Sequence, residues 1–335
     1  MFREKVLLLA VSIFLALNVN SQSVHFTQFW TSPAYINPAN AGVFDGNFRL
    51  AGIQRTQWFA IGNPYVTFLG GLDAPVYRNN KNKYLIGASG QFLFDRAGDS
   101  KYSTYQGIFG VSGTKIFGKR SEHHIGLGIS LGFSQRTIDY SALYFDEQFQ
   151  NGAFNPDHTI SETFGVESFF FMDIGFGVLW IWNINDRLNL KVNLSATHLN
   201  IPNQSLNSGV IYKINPKTYM SASVPVLLGK KFILEPIVFY SFQKKYQELM
   251  LGCLGSYPLN YDLKLNGGLL YRTKDAFVLQ FGLGWQQLQV NFAYDLTLSK
   301  LQNANQVRGG PEIAVSWIFK KVTKNAKRSI CPENY

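Results

Sequence analysis

The chain has 335 residues, 46% of them hydrophobic, 15% aromatic and only 16% charged, with a formal net charge of +10. Two cysteines, Cys253 and Cys331, are too few for a disulfide framework, and no run of ~18 apolar residues offers a membrane-spanning helix. Five of the cations, Lys320, Lys321, Lys324, Lys327 and Arg328, crowd the last sixteen residues against Glu333 alone. Basicity with so large a share in one tail argues against a nucleic-acid partner and for docking on an acidic partner or surface.

The first element is an export signal. Arg3 and Lys5 precede an apolar run over residues 6–17, and a short polar stretch ends at Ser21. That pattern predicts a secretory signal peptide over residues 1–21, cut near Ser21. Residues 22–47 follow, with Pro33, Pro38 and several turn formers and no strand pattern. Their apolar content (Phe26, Phe29, Trp30, Tyr35, Ile36) needs a place to hide, so the segment is expected to fold as a plug into the lumen or mouth of what comes next.

From residue 48 to 319 the chain alternates. Leu288, Val290, Phe292, Tyr294 and Leu296 are interleaved with Gln289, Asn291, Ala293 and Asp295. The same period of two places Ile125, Leu127, Ile129, Leu131 and Phe133 against Gly126, Gly128, Ser130, Gly132 and Ser134, and recurs at 188–198, 276–285 and 310–319. Period two means one apolar and one polar face. Repeats of roughly ten residues with aromatics at their ends fit tilted strands crossing a bilayer. The expected fold is all-β: a transmembrane outer-membrane barrel with apolar side chains on lipid and Gly, Ser, Asn and charges facing a polar interior. Fourteen antiparallel strands are expected, at 48–58, 64–73, 84–94, 103–116, 124–136, 169–182, 188–198, 218–228, 232–242, 248–256, 262–271, 276–285, 288–296 and 310–319. Even-to-odd connections are short (117–123, 183–187, 229–231, 286–287), and the longest odd-to-even ones are 137–168, 199–217 and 297–309. With both termini in the periplasm, the long loops face outward. Residues 320–335 form a basic periplasmic tail.

Motifs for chemistry are weak. Asn37-Pro38-Ala39 reads as a turn. His123-His124 lacks a carboxylate or cysteine placed to complete a metal site. Gly126, Gly128 and Gly132 lie on a strand with no following helix to receive phosphate, so they are lumen or bulge glycines. Glu147, Asp157 and Glu162 occupy the longest loop as solvated carboxylates. No catalytic residue, metal ligand or cofactor is expected.

A wider pattern joins the two ends. His25-Phe26-Thr27-Gln28-Phe29, Pro33, Asn37-Pro38-Ala39 and Ala41-Gly42 precede Arg55-x-Gln57-Trp58, Pro64, Thr67 and Asp73-x-Pro75. Near the other end stand Tyr294-Asp295, Ser299, Leu301, Gly310, Glu312 and Ile313, then Cys331-Pro332 and Tyr335. In this order and spacing they resemble the PorP/SprF family of outer-membrane proteins of the type IX secretion and gliding machinery. The resemblance implies a barrel that helps deliver or hold a large exported adhesin with a C-terminal sorting domain, or one linked to the periplasmic ring of the machine. Arg55, Gln57 and Trp58 suit two roles, a girdle aromatic beside a lumen charge network or direct partner contact. The tail is the better docking candidate. The rival on the same architecture is a channel for small or apolar solutes.

Overall fold

The structure, a computed structural model, describes residues 24–320 apart from 58, 60–62, 80–82, 151–152, 156–157, 159–165, 206–211 and 300–307. The signal peptide and the tail beyond Lys320 lie outside the described residues. So does Trp58.

Fourteen antiparallel strands close into one barrel. They are β1 (Phe48–Gln57), β2 (Tyr65–Asn79), β3 (Tyr84–Ala97), β4 (Tyr102–Phe117), β5 (His123–Thr137), β6 (Ser168–Asn185), β7 (Leu188–Thr197), β8 in two pieces (Lys217–Ser223 and Val226–Leu228), β9 (Phe232–Gln243), β10 (Tyr246–Pro258), β11 (Leu263–Arg272), β12 (Ala276–Trp285), β13 (Leu288–Thr297) and β14 (Arg308–Phe319). Closure runs from Phe48 opposite Phe319 to Arg55 opposite Glu312. Because the count is even, β1 begins and β14 ends at the same end, that of the short turns. Among the described residues no helix is long and apolar enough to cross a membrane.

Every strand expected from the alternation forms, and the largest local departures are in β2 and β8. β2 continues six residues past Asp73, through Pro75, to Asn79, and its register shifts between Pro75 and Tyr77. Proline lacks a ladder N–H, and a bulge lets a strand absorb one. β8 breaks at residues 224–225, where Pro225 removes a donor, yet Val224 N–H still reaches Pro236 O at 3.0 Å. The long-loop end is less uniform than expected: β3–β4, β9–β10 and β11–β12 are joined there by tight turns at 98–101, 244–245 and 273–275. A small hairpin, Phe149–Gln150 with Ala153–Phe154, flanks Asn151-Gly152 in the longest loop.

The outward faces are apolar as expected: Phe109, Leu127, Ile129, Phe281 and Leu283 are all exposed. Aromatics stack near the short-turn end, where His123 lies 5.3 Å from Phe117 and 5.6 Å from Trp182, and Phe48 lies 4.2 Å from Phe319. The inward faces are mixed: beside the polar and charged residues expected there they carry apolar ones. Ile53, Leu69, Leu93, Met250, Leu270 and Val278 all point inward and are at most 3% exposed. They are buried because residues 24–47 occupy the inside of the barrel and supply the other half of an apolar core. Phe29 and Ile36 pack with Tyr219, Ile237, Phe239, Met250, Leu270 and Val278, and Phe26 packs with Ile53, Leu69 and Leu93. A fourteen-stranded wall encloses more space than its own side chains fill, and this segment takes up that space.

Candidate functional site

The site is the seat of residues 24–47 inside the barrel, built in three parts.

The first part is a floor of glycines. Asn37 starts a short 3-10 turn, Pro38–Asn40, with its side-chain carbonyl accepting from Ala39 N–H at 2.9 Å. The turn lies directly on β5 and β6, and Ala41 just after it lies on β3. A Cβ at Gly128 would come within 2.3 Å of Ala39 N, one at Gly177 within 1.9 Å of Asn37 Oδ1, and one at Gly87 within 1.9 Å of Ala41 O. Only glycine admits that approach. Polar side chains fix the turn sideways. Asn37 Nδ2 donates to Val178 O (2.9 Å) and Asn193 Oδ1 (3.0 Å), and Asn40 Nδ2 donates to Asn193 Oδ1 (2.8 Å). Ser195 Oγ donates to Ile36 O (2.6 Å), and Ser112 Oγ to Ala41 O (2.7 Å).

The second part is a clamp toward the short-turn end. Asp73 accepts two bonds from Arg49, both 2.8 Å, and one from Gly42 N–H at 2.9 Å. Gly42 has φ +70° and sits against Ala74 O, so both its conformation and its surroundings require glycine. Arg49 also lies over the Phe44 ring at 4.7 Å. The Ala41-Gly42 and Asp73-x-Pro75 motifs are therefore two halves of one contact.

The third part, toward the long-loop end, is a buried ion network. Arg55 pairs with Asp295 (2.6 Å) and Glu312 (3.1 Å). Arg272 pairs with Glu248 (3.3 Å), Asp275 (2.8 Å) and Asp295 (3.0 Å). Side chains of Arg55, Arg272, Asp295, Glu248 and Glu312 are at most 4% exposed. The segment completes the network. Glu312 accepts from the backbone N–H of Thr27 (2.8 Å) and Gln28 (2.7 Å), and Thr27 Oγ1 accepts from Arg55 (2.9 Å) and Arg272 (2.6 Å). Buried charges persist only when each is paired and hydrogen-bonded. Without residues 27–28, Glu312 would lose two of its donors.

The expected site residues divide sharply. Phe26, Gln28, Phe29, Asn37, Pro38, Ala39 and Gly42 are all buried in this seat. Arg55 is in the ion network. Gln57 closes β1 opposite Tyr65, partly exposed. Lys320 is exposed and pairs with Asp45 at the short-turn mouth. Lys321, Lys324, Lys327, Arg328, Cys331, Pro332 and Tyr335 lie outside the described residues. Cys253 is a free thiol and alternates with Leu249 and Leu251 on the outward face. Sequence reasoning missed Arg49, Arg272, Glu248, Asn193, Gly87 and Gly177. Their common signal is parity: each is a charged, amide or glycine residue on the inward register of its strand. Among the described residues no cluster of His, Cys, Asp and Glu is arranged to hold a metal ion.

A closed barrel with apolar outer faces, filled by its own N-terminal segment, defines an outer-membrane β-barrel protein. Solved structures of that class are similar in fold. The Ralstonia pickettii toluene transporter TbuX is 13% identical with a TM-score of 0.51, covering 86% of this chain and 94% of its own. The CymD monoaromatic hydrocarbon channel is 8% identical with a TM-score of 0.52, covering 87% and 93%. No curated protein matches the sequence. The model of the PorP/SprF family, type IX secretion system membrane proteins, matches residues 18–314, and the chain belongs to that family.

Proposed function

We propose that this barrel is a non-conducting platform of type IX secretion that holds or delivers an exported surface protein at its long-loop end. The observation that carries the reading is the filled interior. Residues 24–47 pack the barrel with an apolar core and are held by glycine floor, clamp and ion network, so the wall supports a docking surface rather than a passage. The short-turn end, where the basic tail departs beyond Lys320, faces the periplasm and the secretion machine. The long loops face outward and receive the client, an adhesin with a C-terminal sorting domain. The residues of the seat act on structure alone, with no catalytic step.

The rival reading, a channel for small apolar solutes, draws on the likeness to TbuX and CymD, whose low identity speaks to fold alone. A comparison of surface and medium proteins in cells with and without this chain tests the proposal. Loss of one or a few large surface proteins marks a dedicated platform. Broad loss of exported proteins marks a core part of the machine. An unchanged inventory overturns the secretion role and favours the channel.

A further inference from the structure

Among the described residues, two grooves of the outward face lie in its short-turn half, each floored by glycine, and they differ in one charge. The first, of about 490 Å³, crosses β3, β4 and β5 and reaches Tyr77 and Asn79 of β2. Gly113 stands between Ile86 and Leu127 in register, and a Cβ there would meet nothing within 4 Å. Ile86 and Leu127 are about half exposed, at 49% and 52%, and form the walls of a slot as wide as one strand. The next row toward the short turns is Tyr84, Lys115 and Ile125. Lys115 Nζ lies 3.6 Å above the centre of the Tyr84 ring, a cation–π contact that fixes an ammonium at the mouth of the slot. Its depth is that of the aromatic girdle: Ile125 pairs onward with Trp180, and one row further out His123 stacks on Phe117 and Trp182. Lipid headgroups lie at that level.

The adjoining turns add positive charge. Lys83 Nζ donates to Gly118 O at 3.2 Å, and Lys119 and Arg120 are exposed beside it. The nearby carboxylate, Glu122, is committed to backbone donors, accepting from Arg120 N–H at 2.7 Å.

The second groove, of about 470 Å³, lies over Gly255 and Gly267 between Phe232, Tyr257 and Leu265. It too has lysines in the adjoining turn, Lys230 and Lys231, but no charged side chain in its lining.

We infer that the Gly113 groove is a binding site for one anionic glycerophospholipid, with an acyl chain in the slot between Ile86 and Leu127 and the phosphate on the Lys115 ammonium. The ammonium in the lining separates this site from the general lipid annulus, which both grooves touch. Apolar walls hold a chain without selecting a headgroup, whereas a positioned cation at the interface favours anionic lipid. The inference rests on the barrel wall alone and stands apart from the secretion role.

The test is native mass spectrometry of the full chain extracted in detergent and titrated with phosphatidylglycerol or phosphatidylethanolamine. The wild-type chain is expected to retain one phosphatidylglycerol at collision energies that strip phosphatidylethanolamine. Lys115→Glu and Gly113→Leu should each cut that retention at least fivefold, and Gly267→Leu should leave it unchanged. Heat-modifiable mobility on gels confirms that each variant is a folded barrel. Equal retention of the two lipids overturns the site. So does wild-type retention in folded Lys115→Glu and Gly113→Leu, or an equal loss in Gly267→Leu.

Discussion

The two ends of the internal segment are held by opposite means. Around Asn37–Ala41 the wall grips chiefly by leaving side chains out: Gly87 and Gly128 let backbone lie on backbone, and Gly177 admits the Asn37 side-chain amide. Around Thr27–Gln28 it grips with some of the largest buried polar side chains of the chain, Arg55, Arg272 and Glu312. The first is a steric fit, indifferent to charge and intolerant of one added methyl. The second tolerates changes of shape but not an unmatched charge. Removing one partner of a buried ion pair leaves the other desolvated and unpaired, which costs more than the pair contributes.

That contrast sets the sizes of the expected effects. Arg55→Ala strips both Asp295 and Glu312 of a cation and should destabilise the barrel by about 3–5 kcal/mol, measured by urea unfolding in lipid vesicles. A double variant, Arg55→Met with Glu312→Leu, should recover a substantial part of the loss. If it is as unstable as Arg55→Ala, the network is not held by charge balance. Asp73→Asn weakens the clamp on Arg49 and Gly42 N–H, and about 1.5–3 kcal/mol is expected for bonds to a charged group. Gly128→Ala should cost about 1–3 kcal/mol by overpacking, and it should raise protease cleavage within residues 24–47. Unchanged cleavage would mean that the turn does not rest on β5.

The smallest effect lies outside the wall. In the loop after β5, hydrogen bonds from Ser141, then the contact with Lys101, hold the Asp139 carboxyl below its ordinary value. A lowered pKa gives a stabilising contribution that is present above the ordinary carboxylate value and is lost as pH falls through the lowered one. Carbon-13 titration of Asp139 should show that low midpoint, and Lys101→Ala should raise it.

The sequence announces the wall more clearly than what the wall encloses. Lipid on one side enforces alternation, so the rows through Leu127 and Phe281 can be read residue by residue. No such rule governs the inside. Ile53, Leu69 and Val278 face inward because they pack on Phe26, Phe29 and Ile36, partners that strand periodicity does not link to them. Gly128 reads as a small lumen residue until Ala39 is seen 2.3 Å from where its Cβ would be. Asp73 and Gly42, or Arg272 and Thr27, are joined only by closure of the barrel. Arg55 was legible as a candidate for a lumen charge network. Its partners Asp295 and Glu312 appeared as parts of a family pattern, without their pairing.

Single-barrel conductance in planar bilayers bears most directly on the filled interior. The full-length chain is expected to insert without a steady open-pore current, and Gly128→Val, which drives a side chain into the Asn37–Ala39 turn, is expected to admit ion flow. A steady pore current from the unaltered chain, unchanged by Gly128→Val, would contradict a lumen closed by residues 24–47.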